Sequence, residues 1–214
     1  MELIKIKSEK DFISYINRTS VIPFGVNGTT PYELAKKMVN KLSIDWSNPN
    51  LKILDPCYGF GSYLFFVYLK LIQFHSVEHI LNNMLYGVEI EDFRFELVKH
   101  KLKIKNLIKG DFLHNKIFKD MKFDIILANY PYQVKVGPTK TEPIWHLFAK
   151  KIPILLKEGG YLSVIHPSSW RSTKGKFTFL KDIYFSKKVI SIDLNDFDKG
   201  REVFGAGTNF DIVT

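Results

Sequence analysis

The residues best equipped for chemistry are Asn129, Tyr130, Pro131 and Tyr132, which follow the apolar run Phe123-Asp124-Ile125-Ile126-Leu127-Ala128. Such a run reads as a buried strand. The polar amide therefore stands at a strand's C-terminal tip, where ligands bind in open α/β sheets. Pro131 fixes its own φ and holds Tyr130 extended. The corner is thus stiff, and the Tyr130 carbonyl is kept out of any continuing helix. That carbonyl and the Asn129 side-chain oxygen become two acceptors aimed at one point, with the Tyr132 ring beside them. Two acceptors and a flat ring suit a planar group that bears an amine, such as a nucleobase. The competing reading is an ordinary turn with surface aromatics.

Other polar residues recur at predicted strand ends. Leu51-Lys52-Ile53-Leu54 reads as a strand running into Asp55-Pro56-Cys57-Tyr58-Gly59-Phe60-Gly61-Ser62, followed by a helical apolar stretch from Tyr63 to Phe74. A glycine-bearing loop between strand and helix lets a ligand approach the backbone. Gly59 and Gly61 lack the third glycine of the dinucleotide fingerprint, which argues against a nicotinamide site. Tyr86 to Ile90 is a second strand bearing Glu89 at its tip, where a carboxylate can accept from two ribose hydroxyls. The separation from Asp55 exceeds the usual spacing of that arrangement, and the connection over residues 73–83 takes up the excess. The rival acids Glu91 and Asp92 fall in the next helix. A third strand around Asn106-Leu107-Ile108 closes on Gly110-Asp111-Phe112. Upstream, Thr30 is a good N-cap and Pro31 a good first residue for a helix over Tyr32–Leu42. Cys57 reads as a packing residue, having no base near it in sequence. His166, before Pro167, reads as structural. No His and Cys spacing resembles a metal site.

In this order the motifs resemble those of S-adenosylmethionine-dependent amino-methyltransferases, chiefly the adenine-N6 DNA methyltransferases with the cofactor half first. Asn129-Tyr130-Pro131-Tyr132 is similar to the family's Asn-Pro-Pro-Tyr/Phe, with Tyr130 in place of the first proline. Asp55 to Ser62 is similar to Asp-Pro-x-x-Gly-x-Gly. The resemblance implies S-adenosylmethionine as cofactor. It implies Thr30-Pro31 and the Asp55-Pro56-Cys57-x-Gly59-x-Gly61 loop at the methionine end, Glu89 on the ribose, and Ile90, Asp111 and Phe112 around the adenine. It also implies Asn129, Tyr130, Pro131 and Tyr132 as the catalytic corner, acting on an adenine flipped out of DNA. RNA would be served by the same chemistry. A protein glutamine-amide methyltransferase, or a DNA-binding subunit that keeps the fold without turnover, are the other readings. Such enzymes usually carry a separate target-recognition region after the sheet. No such region is recognised in these residues, so a fragment, a separate recognition subunit and low specificity are the expectations left open.

The elements that must position these residues alternate strand and helix. That order predicts an α/β three-layer sandwich with a mostly parallel seven-stranded sheet, Rossmann-like as in class I methyltransferases. After the fourth strand, residues 134–143 read as a polar loop, either a flap over the target or a connector. A helix over Ile144–Leu156 is expected to end at Glu158-Gly159-Gly160. Tyr161–Ile165, Val189–Leu194 and Thr208–Thr214 complete the strands. The segment from Ser168 to Lys187 mixes Lys and Arg with aromatics, which suits nucleic acid and an ordinary amphipathic helix nearly as well. Residues 1–24 read as an N-terminal arm with a short helix around Asp11–Ile16, and 25–214 as one catalytic domain.

Composition sets the outer bounds. The 214 residues are 45% apolar and 25% charged, as in globular proteins. One cysteine rules out an internal disulfide framework. A formal charge of +9 favours a polyanionic partner. The N-terminus is too charged for a secretory signal, and the apolar run from Tyr63 to Phe74 is too short to cross a bilayer. A cytoplasmic protein without membrane anchor is expected.

Overall fold

The computed structural model describes Lys10 and residues 30–114, 118–172 and 174–214. The expected arm over 1–24 and its helix at Asp11–Ile16 lie outside the described residues, Lys10 apart.

Seven strands build the main sheet: β1 (Ile53–Asp55), β2 (Leu85–Glu89), β3 (Asn106–Lys109), β4 (Phe123–Asn129), then β7 (Leu156–Pro167), β8 (Ile192–Asn195) and β9 (Phe210–Val213). Between β4 and β7 a separate two-stranded ribbon forms from β5 (Gln133–Lys135) and β6 (Thr141–Pro143). The sheet order is β3-β2-β1-β4-β7-β9-β8, parallel from β3 through β7. β9 runs antiparallel to both its neighbours. β1 and β4 sit in the middle, so the loops after them open at the centre of the sheet's C-terminal edge, where the strand order reverses.

Alternation along each strand supplies the two faces. On β4, Ile125 and Leu127 join one buried cluster, while Ile126 and Ala128 join the other. Ile53 and Leu54 of β1 split in the same way. The first face is covered by α1 (Tyr32–Asn40), α2 (Ser62–Leu71) and α3 (Asp92–Leu102). The second is covered by α4 (Trp145–Lys151) and α5 (Phe179–Phe185). α2 is apolar nearly all round because α1 covers it from outside: Tyr63 donates its hydroxyl to the Met38 sulfur at 3.2 Å. This is the three-layer arrangement that the sequence pattern predicts.

Three local expectations change. The segment 134–143 is not an irregular loop but the β5–β6 hairpin. The helix after it stops at Lys151 and tightens into a 3₁₀ turn over Ile152–Leu155, because Pro153 cannot donate to the ladder. Gly159-Gly160 does not terminate a helix. It lies inside β7, where Gly159 takes φ of 72° and the register against β4 shifts between Phe123 and Ile125. A Cβ on Gly160 would stand 2.9 Å from the Asp124 carbonyl oxygen, so the irregularity needs glycine. An additional helix, α6 (Phe197–Phe204), precedes β9.

Candidate functional site

The ends of β1, β2, β3 and β4 surround a cavity of about 340 Å³. Of the residues singled out in the sequence, Thr30, Asp55, Pro56, Cys57, Gly59, Glu89, Ile90, Asp111, Phe112, Asn129, Tyr130 and Pro131 line it. Pro31, Gly61 and Tyr132 do not. Gly61 has φ of 81° and precedes α2, with Leu102 and Val98 packed on its α-carbon side, so it shapes the turn. A larger hollow of about 580 Å³ lies between the start of β7 and α5. It is at the opposite end of the parallel strands from these motifs, so the smaller cavity is the candidate site.

Two buried carboxylates lie within the loop system. Glu89 Oε2 accepts from the Gly59 N–H at 2.9 Å, and Oε1 from the Glu91 N–H at 2.9 Å. The Glu89 side chain therefore ties the tip of β2 to the loop after β1. Gly59 takes φ of 56° with open space where a Cβ would stand. Asp55 is 2% exposed. Burial pushes its carboxyl well above the usual range; the Cys57 N–H, donated at 3.2 Å, opposes this and the Glu89 charge adds to it. Burial, then the charges of Asp55 and Glu89, push the Cys57 thiol up as well. A thiol so placed stays protonated, as a packing residue should. Asp111 is turned into its own loop: Oδ1 accepts from the Leu113 N–H at 2.8 Å and Oδ2 bonds the His114 ring at 2.7 Å. Phe112 is 4% exposed and forms one wall.

Thr30 does not cap the helix it precedes. The α1 N-terminus has no side-chain cap, and Pro31 occupies the capping position. The Thr30 hydroxyl instead accepts from Asn129 Nδ2 at 3.2 Å, and its carbonyl accepts from the Ser62 hydroxyl at 3.2 Å. Two loops and the tip of β4 meet there. The bond spends the amide's donor end and leaves Asn129 Oδ1 as acceptor.

Tyr130, which replaces the family's proline, is 1% exposed. Its ring lies parallel to Phe148 at 5.2 Å and 12°, and to His166 at 6.4 Å and 5°. The stacking continues from Phe148 to Phe112 at 5.8 Å and 11°, and from His166 to Tyr184 at 5.4 Å and 3°. Five rings thus form a column under the cavity, from the Phe112 wall to α5. A side chain held in this way fixes the corner by packing where a second proline would fix it by ring closure. His166 is fully buried in the column, and burial lowers its imidazole to about 4. It is a neutral packing element, in line with its reading from sequence. Phe148, on the helix that follows the corner and not singled out from the sequence as a site residue, lines the cavity as well. Its signal was a bulky aromatic on the helix after the corner.

Tyr132 packs against the second core cluster and is not among the cavity's lining residues, and its buried hydroxyl has no hydrogen-bond partner among the described residues. The negative charge of Asp211 lies near enough to act on it; burial and then that charge raise the phenol above its ordinary value.

Fold and motif geometry together define a class I S-adenosylmethionine-dependent methyltransferase fold. Residues 62–204, more than half of the chain, match the Eco57I restriction-modification methylase family, and the chain belongs to that family. Among curated protein sequences there is no significant match. Solved structures share the fold at low identity. A modification subunit of a putative type I restriction enzyme from Vibrio vulnificus YJ016 is 16% identical at a TM-score of 0.69, over 95% of this chain and 47% of that one. A protein from a study of complex assembly in a type I restriction-modification system is 17% identical at 0.73, over 99% and 48%. A putative class I methyltransferase from Listeria monocytogenes is 17% identical at 0.67, over 100% and 69%. The chain thus spans about half the length of the two restriction-system proteins.

Proposed function

We propose that this chain transfers a methyl group from S-adenosylmethionine to the N6 amine of adenine in DNA, within a restriction-modification system. The observation that carries the reading is a single cavity edged both by the Asn129-Tyr130-Pro131 corner and by Gly59, Glu89 and Asp111.

The residues present fit the cofactor. The cavity is of the size that small-molecule sites occupy. Glu89 offers unused lone pairs at the tip of β2 for ribose hydroxyls. Ile90 and Phe112 offer apolar walls for a flat ring. Asp55, buried at the loop after β1, offers negative charge to a cation. When bound, the cofactor supplies a methyl group made electrophilic by its sulfonium.

The protein's part is positioning and electrostatics. The target base is extruded from the duplex, since its amine is not accessible in the stack. Asn129 Oδ1 and the Tyr130 carbonyl accept from the two amine hydrogens. Both are fixed before the reaction, Asn129 by Thr30 and Tyr130 by its ring column. They therefore stabilise the positive charge that develops on nitrogen without having to reorganise. The stacking role that the resemblance implies for Tyr132 requires its ring, packed here against the second core cluster, to turn toward the base. The burial of the Tyr130 ring, in a residue that lines the cavity, supports a corner that works with tyrosine in place of the first proline. A separate recognition subunit is the proposed partner, in keeping with relatives described as type I modification subunits.

Asn129→Ala tests the reading. It removes one of the two acceptors, and the expected result is loss of labelled methyl transfer into DNA with cofactor affinity changed by less than about threefold. Persistent incorporation by the variant contradicts the assignment.

A further inference from the structure

We propose that the β5–β6 hairpin is a nucleic-acid wedge, entering the duplex beside the extruded base with Val136 leading and Lys135 and Lys140 on the flanking phosphates. The proposal rests on the function above and extends it to how the substrate is opened.

The hairpin starts immediately after the catalytic corner, at Gln133, and among the described residues it pairs with no other strand. Its register pairs Gln133 with Pro143 and Lys135 with Thr141, and the Val136 N–H donates to the Lys140 carbonyl at 2.8 Å. Gln133 and Val134 line the cavity, so the foot of the ribbon forms part of its rim. Side chains alternate along a strand, which places Val136 on the same face as Val134. Both valines remain open, at 42% and 41% exposure. A two-stranded ribbon is marginal on its own, and among the described residues none covers this one's apolar face at the mouth of the cavity.

The tip stands clear of the other described residues. Gly137 takes φ of 101°, and nothing lies within 4 Å of where its Cβ would be. Pro138 stiffens the turn and carries no N–H to be left unsatisfied. The charge around the tip is net positive, two lysines against one glutamate. Lys135 and Lys140 are exposed, with Glu142 bonding Lys140 at 2.6 Å. Lys176 stands 5.8 Å from the Phe177 ring, which packs on His146 just past the ribbon's foot. An apolar tip between cationic side chains is the make-up of side chains that enter a base step and hold it unstacked.

Fluorescence anisotropy on two short labelled duplexes tests the proposal, one intact and one with an adenine opposite an abasic site. The second needs a wedge less, because its target is already unpaired and costs less to extrude. Val136→Ser is expected to weaken binding to the intact duplex about tenfold and to the abasic one less than about threefold. Val136→Leu is expected to restore the difference. Lys135→Ala is expected to weaken both equally and to reduce the salt dependence by about one phosphate contact. Unchanged binding by Val136→Ser, an equal loss on both duplexes, or failure of the unmodified protein to bind duplex overturns the wedge. So does a change in self-association by light scattering with DNA binding intact, since a second copy then covers the valines. Failure of the enzymatic reading is distinguishable: it would leave the discrimination between duplexes in place without methylated product.

Discussion

Replacing Tyr130 separates the column of rings from the corner it supports. Tyr130 is 1% exposed and sits between Phe148 and His166 at near-parallel angles. Truncation to alanine removes a whole buried ring. Large-to-small aromatic changes in cores cost about 3–5 kcal/mol, and each lost ring pair adds roughly 0.5–1.5 kcal/mol. The expected loss for Tyr130→Ala is therefore about 4 kcal/mol or more. The hydroxyl has Tyr184's hydroxyl for a neighbour but makes no hydrogen bond of good geometry. Removing an unsatisfied buried group is close to neutral, so Tyr130→Phe is expected to stay within about 1 kcal/mol of the parent. Tyr130→Pro restores the family's residue but leaves most of the ring's volume empty, and it is expected to resemble the alanine variant in stability. Urea unfolding followed by circular dichroism measures all three. If alanine costs less than about 1 kcal/mol, or phenylalanine costs as much as alanine, the column does not hold the corner.

Three further results are expected. His166 is buried and its imidazole lowered to about 4, against 6.5 ordinarily; the unfolded chain therefore binds a proton first as pH falls, and stability is lost between about 6.5 and 4, by on the order of 2–3 kcal/mol at pH 4.5. Comparing unfolding at pH 7 and 4.5 for the parent and His166→Gln should show the parent falling more steeply, and equal slopes would contradict this. The Asp55 carboxyl is raised by burial, with Glu89 adding to it; its ionised form favours a cation, so affinity for S-adenosylmethionine should rise with pH more than affinity for the uncharged thioether product. Calorimetry across a pH series checks that ratio, and a flat ratio removes Asp55 from the cofactor's charge. Gly87→Ala would place a Cβ 2.5 Å from Tyr58 Cδ1 and 3.0 Å from Leu107 Cδ2. It is expected to cost about 1–3 kcal/mol and to weaken cofactor binding by moving the loop at Tyr58, whereas unaltered stability would mean that β2 yields freely.

Much of the fold was legible because it is written locally. β4 announces itself as an apolar run ending in an amide, and β1, β2 and β3 each end in an acid or a short polar turn. What escaped depends on distant partners. Thr30 looks like a helix cap in sequence, but a residue 99 positions away takes its hydroxyl. Gly159-Gly160 looks like a helix end until the Asp124 carbonyl is seen against it. The β5–β6 hairpin carries too few apolar residues to show alternation, and its register is set by its turn. Tyr130 reads as a backbone acceptor, and nothing adjacent in sequence shows that its side chain would be stacked under the site. α6 was the exception, a local signal passed over. Asp196 accepts from the Lys199 N–H at 2.8 Å and Gly205 takes φ of 69° after the last turn, both ordinary end signals. Gly200 inside the helix masked them; a Cβ there would lie 2.0 Å from the Thr208 carbonyl oxygen.

The most direct measurement is of the product. The protein is incubated with S-adenosylmethionine and unmethylated DNA, with its recognition partner present where one co-purifies, and the DNA is digested to nucleosides for mass spectrometry. N6-methyladenosine in the deoxy form, dependent on both cofactor and Asn129, is the result this account predicts. Methylation appearing only on cytosine, or on protein glutamine instead of DNA, would contradict it.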